Sequence, residues 1–145
     1  MSAPAAVIDT NVLVAGLITA DPQAPTARIV DAMIAGAFPF LLSLELLTEY
    51  RAVLLRPKIR SRHGLGEEEV DALLVGLTAN AAMREPEQAE SGAVDVDGHL
   101  LALLATHEEA VLVTGDQALL DRAPAGRAVS PSGFVARLTA ARRRR

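Results

Sequence analysis

Apolar residues follow two rhythms along this chain. Short unbroken runs bounded by turn-forming residues predict buried strands, and stretches repeating apolar positions every three or four residues predict amphipathic helices. The first strand is Ala5-Ala6-Val7-Ile8, which closes on Asp9-Thr10-Asn11 and so delivers a carboxylate, a hydroxyl and an amide to a sheet edge. Residues 12–18 are apolar enough for a buried helix turn or two. Pro22 and Pro25 are too close to share a helix interior, so residues 21–26 read as a loop. Thr26 is placed to cap a helix whose apolar face is Ile29, Val30, Met33 and Ile34, with Gly36 ending it.

Residues 38–42 predict a second short strand, with Pro39 near its start. Ser43 caps a helix over residues 44–55 with Leu46, Leu47, Tyr50, Val53 and Leu54 as core candidates, stopped by Arg56-Pro57. Residues 58–66 read as a basic, glycine-containing loop. Residues 67–82 form a helix with acids in its first turn, suiting the helix dipole, and a short strand follows around residues 82–84. Residues 85–92 are a polar linker. Asp97 opens a helix through Leu100, Leu101, Leu103 and Leu104, and residues 110–114 form the clearest core strand. Gly115-Asp116 turns into a brief helix carrying Leu119 and Leu120. Ala128-Val129 is a last edge strand, and Ser130-Pro131 starts a final helix that runs into the basic tail at residues 142–145.

Strands and helices alternate throughout, which predicts a single α/β domain over residues 1–145, a sandwich around a parallel sheet. Composition agrees: half of the 145 residues are hydrophobic but only 3% aromatic, so Leu, Val, Ile and Ala form the core. There are no cysteines, which excludes disulfides and thiolate metal sites. No apolar run approaches the roughly 20 residues that span a bilayer, and the start lacks a secretory pattern, so the expectation is a cytoplasmic protein without a membrane partner. The net charge of -4 gives no general electrostatic grip on nucleic acid; any such binding needs local basic patches.

Two predicted strands end alike, Val7-Ile8 in Asp9 and Val111-Leu112-Val113-Thr114-Gly115 in Asp116. As parallel neighbours they would bring both carboxylates to one sheet edge, where open parallel sheets bind ligands. Asp97, at the start of the preceding helix, falls at the same edge. Glu49 borders the apolar face of its helix, with Leu46 and Val53 beside it. Two carboxylates about 5 Å apart repel by roughly 3 kcal/mol at an effective dielectric near 20. Four would shift each other's pKa values or recruit a cation, and Mg²⁺ or Mn²⁺ suits a site of carboxylates and water. Such a site activates water and steadies charge on a phosphodiester under in-line attack.

Plainer roles compete with this one. Asp9, Asp97 and Asp116 all stand near helix starts, where aspartate commonly caps. Thr10, Asn11 and Thr114 are residues that hydrogen-bond local backbone in turns. His99 reads as an exposed helix histidine rather than a substrate-facing base. A phosphatase with a nucleophilic aspartate is disfavoured, because Asp9-Thr10-Asn11 lacks a second aspartate two residues on.

The order VIDTNVLVAGL, SLELLTEYRAVLLRPKI, DVDGHLLALLA, VLVTGDQALL and SPSGF resembles the PIN-domain proteins, and more narrowly the PIN-family toxins of bacterial type II toxin–antitoxin systems. The resemblance runs from Val7 to about Phe134. It implies a three-layer α/β/α sandwich with a central parallel sheet of four to five strands, and Mg²⁺- or Mn²⁺-dependent cleavage of RNA. It places the family's acids on Asp9, Glu49, Asp97 and Asp116, with Asp95 an alternative third acid and Asp121 a fifth. Asn11 and Thr114 match positions that support the metal site, and Thr10 lies between Asp9 and Asn11 in the motif. The family's Asp-Pro-Asp-Asp run is here Asp95-Val96-Asp97-Gly98-His99, without the proline and with glycine for one acid. That departure supports an alternative, a degenerate PIN domain acting as a non-catalytic RNA- or protein-binding module.

The resemblance also implies a cognate antitoxin as partner and allows a homodimer. Arg56, Lys58, Arg60 and Arg62 are placed to track RNA phosphates, competing with a role in solubility alone. The arginine tail is a frayed terminus in this reading.

Overall fold

The computed structural model describes residues 5–86 and 98–143. Among these residues five short strands, all paired in parallel, carry the architecture. In chain order they are β1 (Ala6–Ile8), β2 (Leu41–Leu42), β3 (Ala82–Met83), β4 (Val111–Val113) and β5 (Ala128–Val129). Regular ladders join β1 to β4 to β5 and β2 to β3, and a single parallel bridge from Ala6 to Phe40 links the two sheets. The resulting order is β3-β2-β1-β4-β5. The chain leaves β1 to one side for β2 and returns to its other side at β4, which creates the switch point where α/β sheets open a crevice.

Parallel strands need crossovers, and helices supply them. They are α1 (Thr10–Ile18), α2 (Pro25–Ile34), α3 (Leu44–Leu54), α4 (Pro57–His63), α5 (Glu67–Asn80), α6 (Gly98–Ala105), α7 (Gln117–Arg122) and α8 (Pro131–Arg143). The α/β/α sandwich expected from the sequence is the fold observed. β1 and β4 are buried along their whole length, as continuous apolar strands in a parallel sheet must be. The core adds Leu13, Ile29, Met33, Phe40, Leu46, Leu54, Leu77, Leu103 and Phe134. None of the helices described is long and apolar enough to cross a membrane.

Several elements depart from expectation. The basic stretch after Pro57 is the helix α4 rather than a loop. Pro57 stands in its first turn, where a missing N–H costs nothing, and Arg60 and Arg62 fall in the last turn, where the dipole favours cations. Gly64, at φ 74°, stops it in a left-handed conformation that side chains avoid. His63 then pins α4 to α3, since Nδ1 accepts from the Leu65 N–H at 2.9 Å and Nε2 faces the Leu54 carbonyl at 2.8 Å. Thr26 does not cap α2; Ala24 holds that position and Pro25 starts the helix. Ile34, expected on the buried face, is 51% exposed at the end of α2. The second strand is confined to Leu41–Leu42. Ser43 caps α3 as expected, accepting from the Leu46 N–H at 3.0 Å.

Gly16 sets how closely α1 and α2 approach. A Cβ there would lie 2.5 Å from the Thr26 carbonyl oxygen and 2.5 Å from Val30 Cγ2.

Candidate active site

Backbone pairing fixes the floor of the site. The Asp9 N–H donates to the Val113 carbonyl at 3.0 Å and the Thr114 N–H to that of Val129 at 3.1 Å. Asp9 and Thr114 therefore sit side by side, one residue beyond the carboxyl ends of β1 and β4. Both are buried, Asp9 at 5% exposure and Thr114 at 0%.

Asp9 occupies the N-cap position of α1, yet its carboxylate makes no capping bond. It is turned to Thr114 instead, whose hydroxyl donates to Oδ2 at 2.7 Å. The same hydroxyl accepts the Asp116 N–H at 3.0 Å. One threonine thus clamps the first acid and the turn that carries the last. Asp116 does cap: its Oδ1 accepts the Ala118 N–H at 2.9 Å at the start of α7, while its backbone N–H is the group tied to Thr114.

Thr10 performs the matching task on the other side. It is buried in the first turn of α1, and its hydroxyl donates to Glu49 Oε2 rather than to nearby backbone. Glu49 is 30% exposed, and its other oxygen lies 3.5 Å from His99 Nε2 on α6. Asp9 and Thr10, neighbours in sequence, therefore connect Thr114 and Asp116 with Glu49 and His99. Five of the expected residues thus fall into two sets of polar contacts, joined through the Asp9-Thr10 backbone, at the carboxyl end of the sheet.

Beneath these contacts lies Tyr50, fully buried, whose hydroxyl donates to the Ile8 carbonyl. Burial pushes its ionisation well above the usual phenol range, and the charges of Asp9 and then Glu49 push it further. Both carboxylates thus bear on the same buried spot. The sequence marked Tyr50 only as core; the signal available was that a buried tyrosine needs a partner for its hydroxyl. His99 corrects a further expectation, because its side chain is only 10% exposed.

The remaining expected residues divide. Asn11 is exposed on α1, with no side-chain hydrogen bond among the described residues. Asp121 is exposed on α7, and its carboxylate accepts from Gln117 Nε2 at 2.9 Å; nothing among the described residues ties it to Asp9. Asp95 and Asp97 lie outside the described residues. Arg56, Lys58, Arg60 and Arg62 are exposed on and just before α4, and none forms an ion pair among the described residues.

The oxygen donors of Asp9, Glu49 and Asp116 match a hard divalent cation in kind. Among the described residues no three acidic or histidine side chains close into a metal cluster, so these acids alone do not complete a site. A sequence profile for the PIN domain matches residues 5–118, a span that includes Asp9, Glu49 and Asp116. No curated protein matches the chain.

Proposed function

Since this chain belongs to the PIN-domain family, whose fold is of the nuclease type, we propose that it is a metal-dependent endoribonuclease that hydrolyses RNA phosphodiesters. The observation that carries the reading is the clamp of Asp9 by Thr114. A buried carboxylate at a helix start that forgoes its capping bond, and is instead oriented at the sheet edge, is arranged for something other than holding the helix. In this proposal Asp9, Glu49 and Asp116 hold Mg²⁺ or Mn²⁺ together with Asp97 or Asp95. A cation bound there supplies an activated water and neutralises charge on the phosphodiester.

The protein's own residues perform the rest. Thr114 holds Asp9 and Thr10 holds one oxygen of Glu49, so each carboxylate is tethered before RNA arrives. Tyr50 stays protonated beneath them, adding no third negative charge. Arg56, Lys58, Arg60 and Arg62 offer an exposed cationic surface for the phosphate backbone in a chain that is acidic overall. We extend the proposal to a toxin restrained by a small antitoxin protein, acting in the cytoplasm and able to pair as a homodimer; this rests on the order of motifs described above.

The test is cleavage of single-stranded RNA by the purified chain. Cleavage that stops on chelation and resumes with Mn²⁺ is the expected result. RNA binding without cleavage at saturating Mn²⁺ would instead favour the binding-module alternative.

A further inference from the structure

His99 has an unusual set of surroundings. It is the second residue of α6, its side chain is 90% withdrawn from solvent, and Nε2 faces Glu49 Oε1 at 3.5 Å. Its other ring nitrogen, Nδ1, is buried with no hydrogen-bond partner among the described residues. A proton on Nδ1 would be a buried donor with no partner among the described residues, whereas a lone pair there is more easily left unmatched. A neutral imidazole carries one N–H, and its place follows from the partners of the two nitrogens. The surroundings therefore place that proton on Nε2, directed at Glu49.

Glu49 then has a neighbour at each oxygen, one hydrogen-bonded and one in reach. Thr10 donates to Oε2 from α1, and His99 stands at Oε1 from α6. A glutamate side chain turns freely about its last torsion, so one donor leaves the carboxylate plane loosely defined and two fix it. We propose that His99 is a positioning residue: as the Nε2–H tautomer it fixes, with Thr10, the plane of the Glu49 carboxylate. Its link to metal binding rests on the function proposed above; the contact itself does not. At 3.5 Å the nitrogen lies at the outer edge of hydrogen-bond reach, so fixing Glu49 requires only a small closure.

The experiment has two arms. In metal-free protein at alkaline pH, two-bond ¹⁵N–¹H NMR should show His99 protonated at Nε2 alone, with both ring nitrogens shifting in Glu49→Gln. Protonation at Nδ1, or resonances unmoved by that substitution, overturns the proposal. In the second arm Mn²⁺ alone is titrated calorimetrically. His99→Leu should weaken binding by about tenfold, the lower range for groups that orient metal ligands, and His99→Gln, which keeps a donor, should recover most of it. Far-UV circular dichroism confirms that each variant is folded. Unchanged Mn²⁺ affinity in His99→Leu overturns the positioning role. If the unsubstituted chain binds no Mn²⁺, the metal-dependent reading fails, and the NMR arm alone decides the contact.

Discussion

Thr114 donates its hydroxyl to Asp9 Oδ2 at 2.7 Å across 105 residues of sequence. The two are adjacent only because β1 and β4 pair in parallel with Ile8 opposite Val113. A slip of one residue would turn Thr114 to the other face of the sheet and dissolve the clamp. The site therefore depends on strand register as much as on the identity of its acids.

Thr114→Val tests the clamp. Valine keeps the shape in a fully buried position but removes the donor to Asp9 and the acceptor of the Asp116 N–H. Loss of buried partners of this kind costs about 1–3 kcal/mol. Urea denaturation should show that loss, and Thr114→Ser should recover most of it. A valine variant as stable as the parent would mean the hydroxyl is dispensable.

Tyr50 gives the site an alkaline signature. Its folded-state ionisation lies above that of the unfolded chain, first through burial and then through Asp9 and Glu49. Below about pH 10 both states keep the proton and the full contribution to stability is present. Above it the unfolded chain releases the proton while the folded one holds it, so stability falls by up to about 1.4 kcal/mol per pH unit. Tyr50 is the only tyrosine and there is no tryptophan. In metal-free protein, tyrosinate absorbance should therefore rise only as the fold is lost, and Tyr50→Phe should lose this part of the pH slope. Tyrosinate forming near pH 10 in folded protein would contradict the buried geometry.

Two glycines should respond with opposite signs. Alanine at Gly16 gains about 1 kcal/mol of helix propensity, but its Cβ meets the Thr26 carbonyl and Val30 at 2.5 Å. The carbonyl is backbone and cannot yield locally, and overpacking costs about 1–3 kcal/mol. Gly76, inside α5, has nothing within 4 Å of a new Cβ. Thermal melts should place Gly16→Ala below the parent and Gly76→Ala above it.

Much of the fold was legible because local chemistry and tertiary structure agree. Val111–Val113 has no polar face and can only be a buried strand, and Ser43 caps α3 with the bond its position suggests. Where they compete, the reading fails. The density of charge in residues 58–63 resembles a loop, but α4 gains a proline start, a glycine stop and the His63 bracket to α3. At the sheet edge, the places of Asp9 and Asp116 were legible from strand ends and that of Glu49 from its helix face, while the support by Thr114 came from the family resemblance. The Thr10–Glu49 bond and the burial of His99 were not, because both depend on how α1, α3 and α6 meet.

α4 yields a prediction about salt. If Lys58, Arg60 and Arg62 meet phosphates, changing all three to glutamine should weaken RNA binding and flatten its dependence on KCl. The logarithmic slope should fall by about 0.7 for each single-strand phosphate that is no longer neutralised. All three are exposed, so the melting temperature should hardly move. An unchanged salt slope would place the RNA elsewhere on the surface.

The central claim is that Asp9 anchors a carboxylate site that cleaves RNA with a bound cation. Asp9→Asn keeps an oxygen that can accept from Thr114 while removing the charge. The direct measurement is the rate of RNA cleavage by this variant and by the parent at the same Mn²⁺ concentration, with melting temperatures taken alongside. The expected result is a loss of at least about 100-fold in rate, with a melting temperature equal to or above the parent's because repulsion with Glu49 is relieved. Cleavage at the parental rate in a folded Asp9→Asn protein would contradict the account.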